Sequence, residues 1–477
     1  MSVADAGVAP ATPGHARAPG PLGGSERRLS GWGRAAWSRG RVVAVSTVDE
    51  VSEVLAHPGV ARGGVIARGA GRSYGDAAQN VGGTVLDLRA MDRPPRIDAD
   101  AMTVTVQPGV TYARLLSELA QHGFILPVIP GTRHVTMGGA IASDVHGKNH
   151  QTDGSISRQV ASLALCTPAG GVRTLDAELD RELVLATLGA MGLLGVVVEA
   201  TLAIEPLRAP WFATDTDRTR SLEETLALMA RDDGHRYSVA WLDMLAGGSR
   251  LGRAVVTRSH DAPAGPPPSG APGFSDLGSR PRVRIPRGFP GAVLATPLIA
   301  AFNELRWRSS PASERARPVA VAQHFFPLDG FGNWNRLYGA RGLVQYQFSV
   351  PDGQEAALTR AALLLRARRI PSYLAVLKRL GAASGGPLSF PSPGWTLALD
   401  IPTWAPGLWP TLDALDELVA GAGGRVYLTK DLRLRRDAFE AMYPALPRFR
   451  ELRALVDPDG VLRSDLGARL GLCRAAA

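Results

Sequence analysis

Residues 67–76 read ARGAGRSYGD, and the run after them, AAQNVGGTVLDL, leads through a turn into a β-branched strand. Gly69, Gly71 and Gly75 free the backbone to adopt angles that other residues avoid and to lie close against a ligand. Successive N–H groups in such a loop form a concavity for an anion, and a phosphate is the natural guest. The dinucleotide fingerprint of a doubly wound sheet does not fit. That fingerprint runs straight into a helix and is followed about 20 residues later by an acidic ribose partner. Here the spacing is Gly-x-Gly-x-x-x-Gly and a strand follows.

A second loop has the same chemistry. Residues 130–150 read PGTRHVTMGGAIASDVHGKNH, with Gly138 and Gly139 for close approach and Thr132, Thr136 and Ser143 as hydroxyl donors. Between the loops, TYARLLSELAQHG has Leu115, Leu116 and Leu119 at helical spacing and Gly123 as its stop. Two donor-rich glycine loops flanking one helix suit a diphosphate carrying a nucleotide at one end and a ring system at the other.

At 477 residues the chain is long enough for two domains with ordinary cores. VASLALCTPAGGVRTL reads as a hairpin, and LGAMGLLGVVVEATLAIEP as a glycine-punctuated strand that ends a first domain near Pro206. YSVAWLDML, GRAVVTRS, LVQYQFSVP and WTLALDIP alternate as strands. Helices and strands mix without regular βαβ order, so the expected class is α+β. Residues 261–290 are too rich in proline and glycine to pack and read as a mobile surface loop. Residues 1–30 read as a disordered tail without the apolar centre of a signal peptide. No apolar run reaches the roughly 18 residues of a membrane span. The expectation is a cytoplasmic protein or one peripheral to the plasma membrane, with the membrane face left open. Cys166 and Cys473 form no motif, so no metal site is expected.

The formal net charge is +9. The basic residues do not interleave with aromatics in any nucleic-acid-binding module, so no nucleic-acid partner is expected. Of the 53 lysine and arginine residues only Lys148, Lys378 and Lys430 are lysine. Arginine does not give up its proton in a protein, whereas a partly buried lysine can. A chain that otherwise writes its cations as arginine keeps lysine where a titratable ammonium is needed.

The paired loops resemble the vanillyl-alcohol-oxidase-type (PCMH-type) FAD-binding domain. Together with FGNWNRLYG, VQYQFSVP, PLSFPSPGW and YLTKD, they resemble the decaprenylphosphoryl-β-D-ribose 2′-oxidase family from about residue 40 to 470. The resemblance implies an FAD-binding domain at 31–206 and an antiparallel-sheet substrate domain at 207–420, with residues 421–477 returning to the FAD domain. It implies oxidation of the ribose 2′-hydroxyl of a polyprenyl-phosphate sugar to a ketone. A partner short-chain keto-reductase would then complete epimerisation to the arabinose donor for cell-wall synthesis. A quinone is a candidate electron acceptor, and peripheral membrane contact is expected. The alternative is a soluble alditol or sugar-lactone oxidase that uses oxygen.

By resemblance, FAD lies along Ala67, Arg68, Gly69, Ala70, Gly71, Arg72, Ser73, Tyr74, Gly75, Asp76 and Ala77. Its second cradle is Gly131, Thr136, Met137, Gly138, Gly139, Ser143, Asp144, Val145 and His146, with Val198 and Tyr427 as further contacts. Covalent relatives carry a histidine just after the first loop. No histidine occurs here from 61 to 121 and Tyr74 follows Ser73, so the flavin is expected to be non-covalent.

Lys430 matches the family's essential lysine. It would act as a base, or as a cation beside reduced flavin; a solvated lysine paired with Asp431 is the plain alternative. His146 would bond substrate or shuttle a proton, or else satisfy loop backbone. Lys378 would meet the substrate phosphate, or lie along a helix as a surface lysine. Lys148 is a second candidate phosphate contact. Gln345 and Gln347 alternate on one strand and so face one side, the expected sugar pocket. Trp241 matches another pocket position, though a strand aromatic is often core. Ala398 stands where mycobacterial members carry a cysteine. Arg280, Arg282, Arg284, Arg287, Arg306 and Arg308 make the loop and its sequel basic, which would suit an anionic lipid substrate or an idle solvated linker.

Overall fold

The β-branched runs of the first two hundred residues build two sheets. In the computed structural model, which describes residues 22–473 except 232–233, 264–267, 269–270, 272–276, 278–280, 282 and 292–293, one sheet has four strands. Its order is Ser25–Ser30, Trp37–Ala44, Thr84–Asp87, Val65–Arg68. The last three are parallel and the first antiparallel. The second sheet is antiparallel, in the order Arg96–Asp98, Thr103–Val106, Val196–Ala203, Val160–Thr167, Gly171–Asp176. Helix Tyr112–Gln121 lies between the two glycine loops. Thr111 caps it by accepting from the Arg114 N–H, and Tyr112, Leu115, Leu116 and Leu119 are its buried stripe. Each such side chain contributes about 1.5–3 kcal/mol on burial.

The rest of the chain is organised by an eight-stranded antiparallel sheet. Its order is Ser313–Ala320, Trp211–Thr219, Arg253–Asp261, Tyr237–Asp243, Leu374–Leu380, Gly394–Pro402, Leu343–Pro351, Arg425–Val426. One face is apolar: Leu242, Leu377, Leu397, Leu399 and Phe348 join a core with helices Leu222–Ala230, Glu355–Ala367 and Leu408–Gly421. Alternation along each strand sends the intervening residues to the other face. The register places Trp241 opposite Val376, Val376 opposite Ala398, and Ala398 opposite Gln347. These four therefore form one row, and Lys378, Thr396, Asp400 and Gln345 share their face.

Three expectations change. Ser25–Ser30, placed in the disordered tail, pair along their whole length with Trp37–Val42, so order begins earlier; residues 1–21 lie outside the described residues. Lys378 is on a central strand and not on a helix, because AVLKRL continues the period-two alternation of Leu374 onward. The large sheet extends past 420, since Arg425–Val426 pair with Ser349 and Phe348. Much of 261–290 lies outside the described residues, while Val283–Arg284 pair in parallel with Phe331–Gly332.

The C-terminal segment returns to the first sheet. The Arg463 N–H donates to the Val65 carbonyl at 2.9 Å, and Arg469 bonds Asp76 at 2.9 Å and Asp431 at 2.8 Å. Among the described residues no helix is long and apolar enough to cross a membrane.

Candidate active site

Strand Val65–Arg68 ends in the first glycine loop, which three backbone bonds hold in place. Trp32 N–H reaches Ser73 O at 2.7 Å, Gly33 N–H reaches Tyr74 O at 3.1 Å, and Tyr74 N–H reaches Thr429 O at 3.0 Å. The N–H groups of Gly69, Ala70, Gly71, Arg72 and Ser73 have no acceptor among the described residues. Gly71 sits at φ +64°, and a Cβ on Gly69 would fall 2.0 Å from Thr136 Oγ1. The first-turn N–H of Gly139, in helix Met137–Ala142, is likewise free. Ala67, Gly69, Thr136, Gly138, Gly139 and Gly192 line a cleft between these segments. A row of bare amides is the complement of diphosphate oxygens, so these residues fit the diphosphate of FAD.

Several expected cofactor residues can serve only through their backbone. The Arg68 guanidinium donates to Ser30 O at 2.7 Å and Ala78 O at 2.9 Å. Asp76 is paired with Arg469. Arg72 lies 4.0 Å over the Trp32 ring. Asp144 accepts from Ser389 Oγ at 2.5 Å and from the Ser157 N–H at 3.3 Å. Ala77, Met137, Val145 and Val198 are buried in apolar clusters. A Cβ on Gly131 would meet nothing within 4 Å, so that edge is open. Tyr427 stacks on Phe390 at 4.6 Å between centroids and donates to Ser143 O at 2.7 Å.

The polar face of the large sheet lies against this cradle through His146. Gln347 Nε2 donates to His146 Nε2 at 3.1 Å and to Thr396 Oγ1 at 3.2 Å. The imidazole proton then sits on Nδ1, which has no partner among the described residues. Burial holds His146 well below its ordinary pKa, and Lys378, His150 and Lys430 push the same way.

The three lysines converge here. Lys430 follows a turn in which its N–H reaches Tyr427 O at 2.9 Å, and its Nζ lies 4.1 Å from the centre of the Tyr74 ring. Loss of water pushes this ammonium down to about 8, while Asp400 pulls it up. Lys378 is pushed down to about 7 by burial, then by Lys430 and Lys148, and its Nζ is 3.5 Å from Gly147 O. Burial takes Lys148 to about 8; its Nζ donates to the His324 carbonyl. Neither Lys430 nor Lys378 has a carboxylate within ion-pair distance among the described residues, so the paired Lys430–Asp431 reading falls: Asp431 bonds Arg469 instead.

Asp400 was not singled out from the sequence. It is 1% exposed, accepts from Gln345 Nε2 at 2.5 Å through Oδ1, and leaves Oδ2 without a partner among the described residues. Burial raises it to about 7 against the pull of Gln345 and Lys430. The signal was present: in WTLALDIP it stands two residues after Ala398 and so shares its face. Trp241 lies farther along that face, with Arg306 5.0 Å over its ring.

The comparisons agree with this geometry. Residues 40–176 match the FAD binding domain family. The chain is 39% identical to decaprenylphosphoryl-β-D-ribose oxidase of Mycolicibacterium smegmatis over 94% of this chain and 98% of that one. It is 26% identical to L-gulonolactone oxidase of Bos taurus over 87% and 91% of the two chains. An alditol oxidase from a Streptomyces species is 31% identical over 37% of this chain and 42% of its own. The α+β fold, the FAD-binding match and the cradle define an FAD-dependent oxidoreductase. More narrowly, the chain belongs to the decaprenylphosphoryl-β-D-ribose oxidase family.

Proposed function

We propose that this protein oxidises the 2′-hydroxyl of a polyprenyl-phosphoryl-β-D-ribose, of the decaprenyl type, to the 2′-ketone. The observation that carries this reading is that Lys430, Lys148 and His146, from turns beside the cradle, converge with Lys378, Gln345, Gln347 and Asp400 of one sheet face. When bound, FAD supplies the two-electron acceptor for the alcohol carbon. Lys430 takes the hydroxyl proton in its neutral form, which its lowered pKa makes accessible near neutral pH. Asp400 keeps the resulting ammonium in place. Lys378 and Lys148 meet the phosphate as point charges. Gln347 orients His146, whose neutral imidazole bonds a sugar hydroxyl. FAD is dissociable, since Tyr74 occupies the stretch where covalent relatives carry histidine.

In this reading residues 31–206 bind cofactor and 207–420, with Arg425–Val426 added, bind substrate. The ketone passes to a short-chain keto-reductase, and electrons leave to a quinone. The protein works at a membrane surface without spanning it. The soluble alditol or sugar-lactone oxidase reading is weaker, because the alditol-oxidase likeness covers little more than a third of the chain and the lactone-oxidase likeness, over 87% of it, is 26% identical against 39%.

The test is an anaerobic titration of the flavoprotein with a polyprenyl-phosphoryl ribose. Bleaching of the flavin, lost from Lys430→Ala, is expected. Flavin that stays oxidised with this substrate but bleaches with a free alditol would replace the reading.

A further inference from the structure

Arg236 stands one residue before strand Tyr237–Asp243 and holds three carboxylates on one guanidinium. Its Nε and Nη2 donate to the two oxygens of Asp153 at 2.9 and 3.1 Å. Nη2 also reaches Glu205 at 2.7 Å, and Nη1 reaches Asp261 at 3.3 Å. The three acids come from separate parts of the fold. Asp153 ends the short helix His150–Asp153, just after the second glycine loop. Glu205 pairs with Ile125, and Asp261 ends strand Arg253–Asp261 of the large sheet. Only a planar fork of five donors can serve all three at once; a lysine cannot.

Two routes lead from this clasp into the cleft, and both end on Lys148. The first is backbone. Thr152 Oγ1 donates to Arg236 O at 3.3 Å, Gln151 Nε2 to His235 O at 3.1 Å, and the Ser238 N–H to Lys148 O at 2.9 Å. These bonds lay residues 148–152 alongside residues 235–238. Buried Asn149 fixes the join, donating to Asp153 Oδ2 at 2.7 Å and to Pro127 O at 2.8 Å. The second route is through rings. The Arg236 guanidinium lies 5.4 Å from the centre of the Tyr237 ring, and Tyr237 meets His324 edge-on at 5.0 Å between centroids. The His324 carbonyl accepts from the Lys148 ammonium. Both ends of Lys148, its carbonyl and its Nζ, are thus set by groups arranged around Arg236.

We propose that Arg236 is a positioning residue for substrate binding: by clasping Asp153, Glu205 and Asp261 outside the cleft, it sets where the Lys148 ammonium meets the substrate's phosphate. The inference rests on the proposed phosphate contact of Lys148 and names what holds that contact in place. A purely stabilising ion pair explains less. Arg236 and Asp153 are 20% and 23% exposed, and partly exposed pairs add little to stability by themselves. A fork that ties three elements together fixes geometry, and a small misplacement of a binding group weakens what it binds.

The experiment titrates the holoenzyme with the 2′-deoxy analogue of a polyprenyl-phosphoryl ribose, which can bind but has no 2′-hydroxyl to oxidise. Perturbation of the flavin absorbance gives its dissociation constant, and anaerobic bleaching by the ribose substrate gives the rate. Arg236→Gln should weaken the analogue about tenfold and raise KM by a similar factor. Its kcat should stay within about twofold and its flavin content should be unchanged, because Arg236 touches neither the cradle nor the reacting carbon. Arg236→Lys keeps the charge without the fork and should recover part of the loss. Added to Lys148→Met, Arg236→Gln should weaken the analogue little further, since the group it positions is gone. Losses that multiply in the double variant overturn the inference. So does an Arg236→Gln enzyme that melts lower but binds the analogue as the wild type does, which makes the clasp structural only. Should Arg236→Gln lose its flavin, Asp153→Asn decides: it leaves Arg236 paired with Glu205 and Asp261, and analogue binding that stays at the wild-type value overturns the inference. Undiminished binding by Lys148→Met removes the phosphate contact from Lys148 and the inference with it. A wild type that binds the analogue but is not bleached by the ribose substrate counts against the proposed reaction alone.

Discussion

The cofactor side of the cleft offers backbone, and the substrate side offers side chains. From Gly69 to Ser73 five N–H groups have no acceptor among the described residues, in a loop fixed by bonds from Trp32, Gly33 and Tyr74. Facing them, Gln345, Gln347, Lys378 and Asp400 project from three neighbouring strands, with Lys430 on a turn beside them. Backbone dipoles carry no titratable proton, so the first side holds an anion in the same way at any moderate pH. The second side is made of groups whose charge burial brings close to neutrality, about 7 for Lys378 and Asp400 and about 8 for Lys430. Holding the cofactor and moving a proton are thus assigned to different kinds of atoms.

The sharpest way to break that division is Lys430→Ala. Removing a group that accepts a proton in the transition state should cut kcat/KM by about 10³-fold. The flavin-to-protein ratio, read from absorbance, should not change, because no cradle amide belongs to Lys430. Flavin loss together with activity would mean that the two sides are not separable. The converse variant is Gly71→Ala. A methyl there is held at φ +64° and 2.4 Å from Arg68 Nη2. The left-handed backbone costs about 1–2 kcal/mol, so FAD binding should weaken roughly tenfold. With FAD saturating, kcat should stay within about twofold, since no side chain of the substrate face has moved.

The same division explains what was legible in the sequence. Backbone recognition leaves a local trace, so the glycine spacing of both loops and the absence of a helix after Gly75 could be read directly. Side-chain recognition is assembled by register. Asp400 lies 30 residues before Lys430 and 55 after Gln345 in the chain, and no local pattern ties them. The shortage of lysine did point to the site, because composition singled out the three ammonium groups wherever the strands carried them. Ser25–Ser30 were misjudged because RRLS reads as tail until its partner, Trp37–Val42, is known. The eight-stranded order was not legible either, since apart from the hairpins Tyr237–Asp243/Arg253–Asp261 and Leu374–Leu380/Gly394–Pro402 its neighbours are far apart in sequence.

A finer test is the pH profile. If neutral Lys430 accepts the proton, kcat/KM rises with pH through an inflection near 8. Asp400 raises the lysine's pKa, and Lys430 in turn lowers that of Asp400. The pair therefore titrates together. Asp400→Asn removes the anion that stabilises the ammonium, so the lysine loses its proton more readily and the inflection moves to lower pH. At pH 7 a larger fraction is then neutral, and the loss in rate should be only a few-fold, smaller than at pH 9. An unmoved inflection would separate Asp400 from the proton path. The inflection should be absent from the FAD dissociation constant, which reports the backbone side.

Ala398→Cys should produce the smallest change in rate and the most specific change in chemistry. Ala398 stands in the row of Gln347, Val376 and Trp241 and contributes only a methyl group to it. A thiol adds one atom and no charge at neutral pH, so kcat/KM should stay within about twofold. The variant should nevertheless be inactivated by a thiol-directed electrophile, and substrate should protect it. The wild type should resist that reagent, because Cys166 is buried and Cys473 is half-buried against the Ser464 carbonyl, with burial pushing both thiols up. An inactivated variant that retains its flavin would place the reactive row on the substrate side and leave the backbone cradle untouched. Resistance of the variant would mean that position 398 does not face the cleft, and with it the register argument that put Asp400, Gln345 and Lys378 on one face would fail.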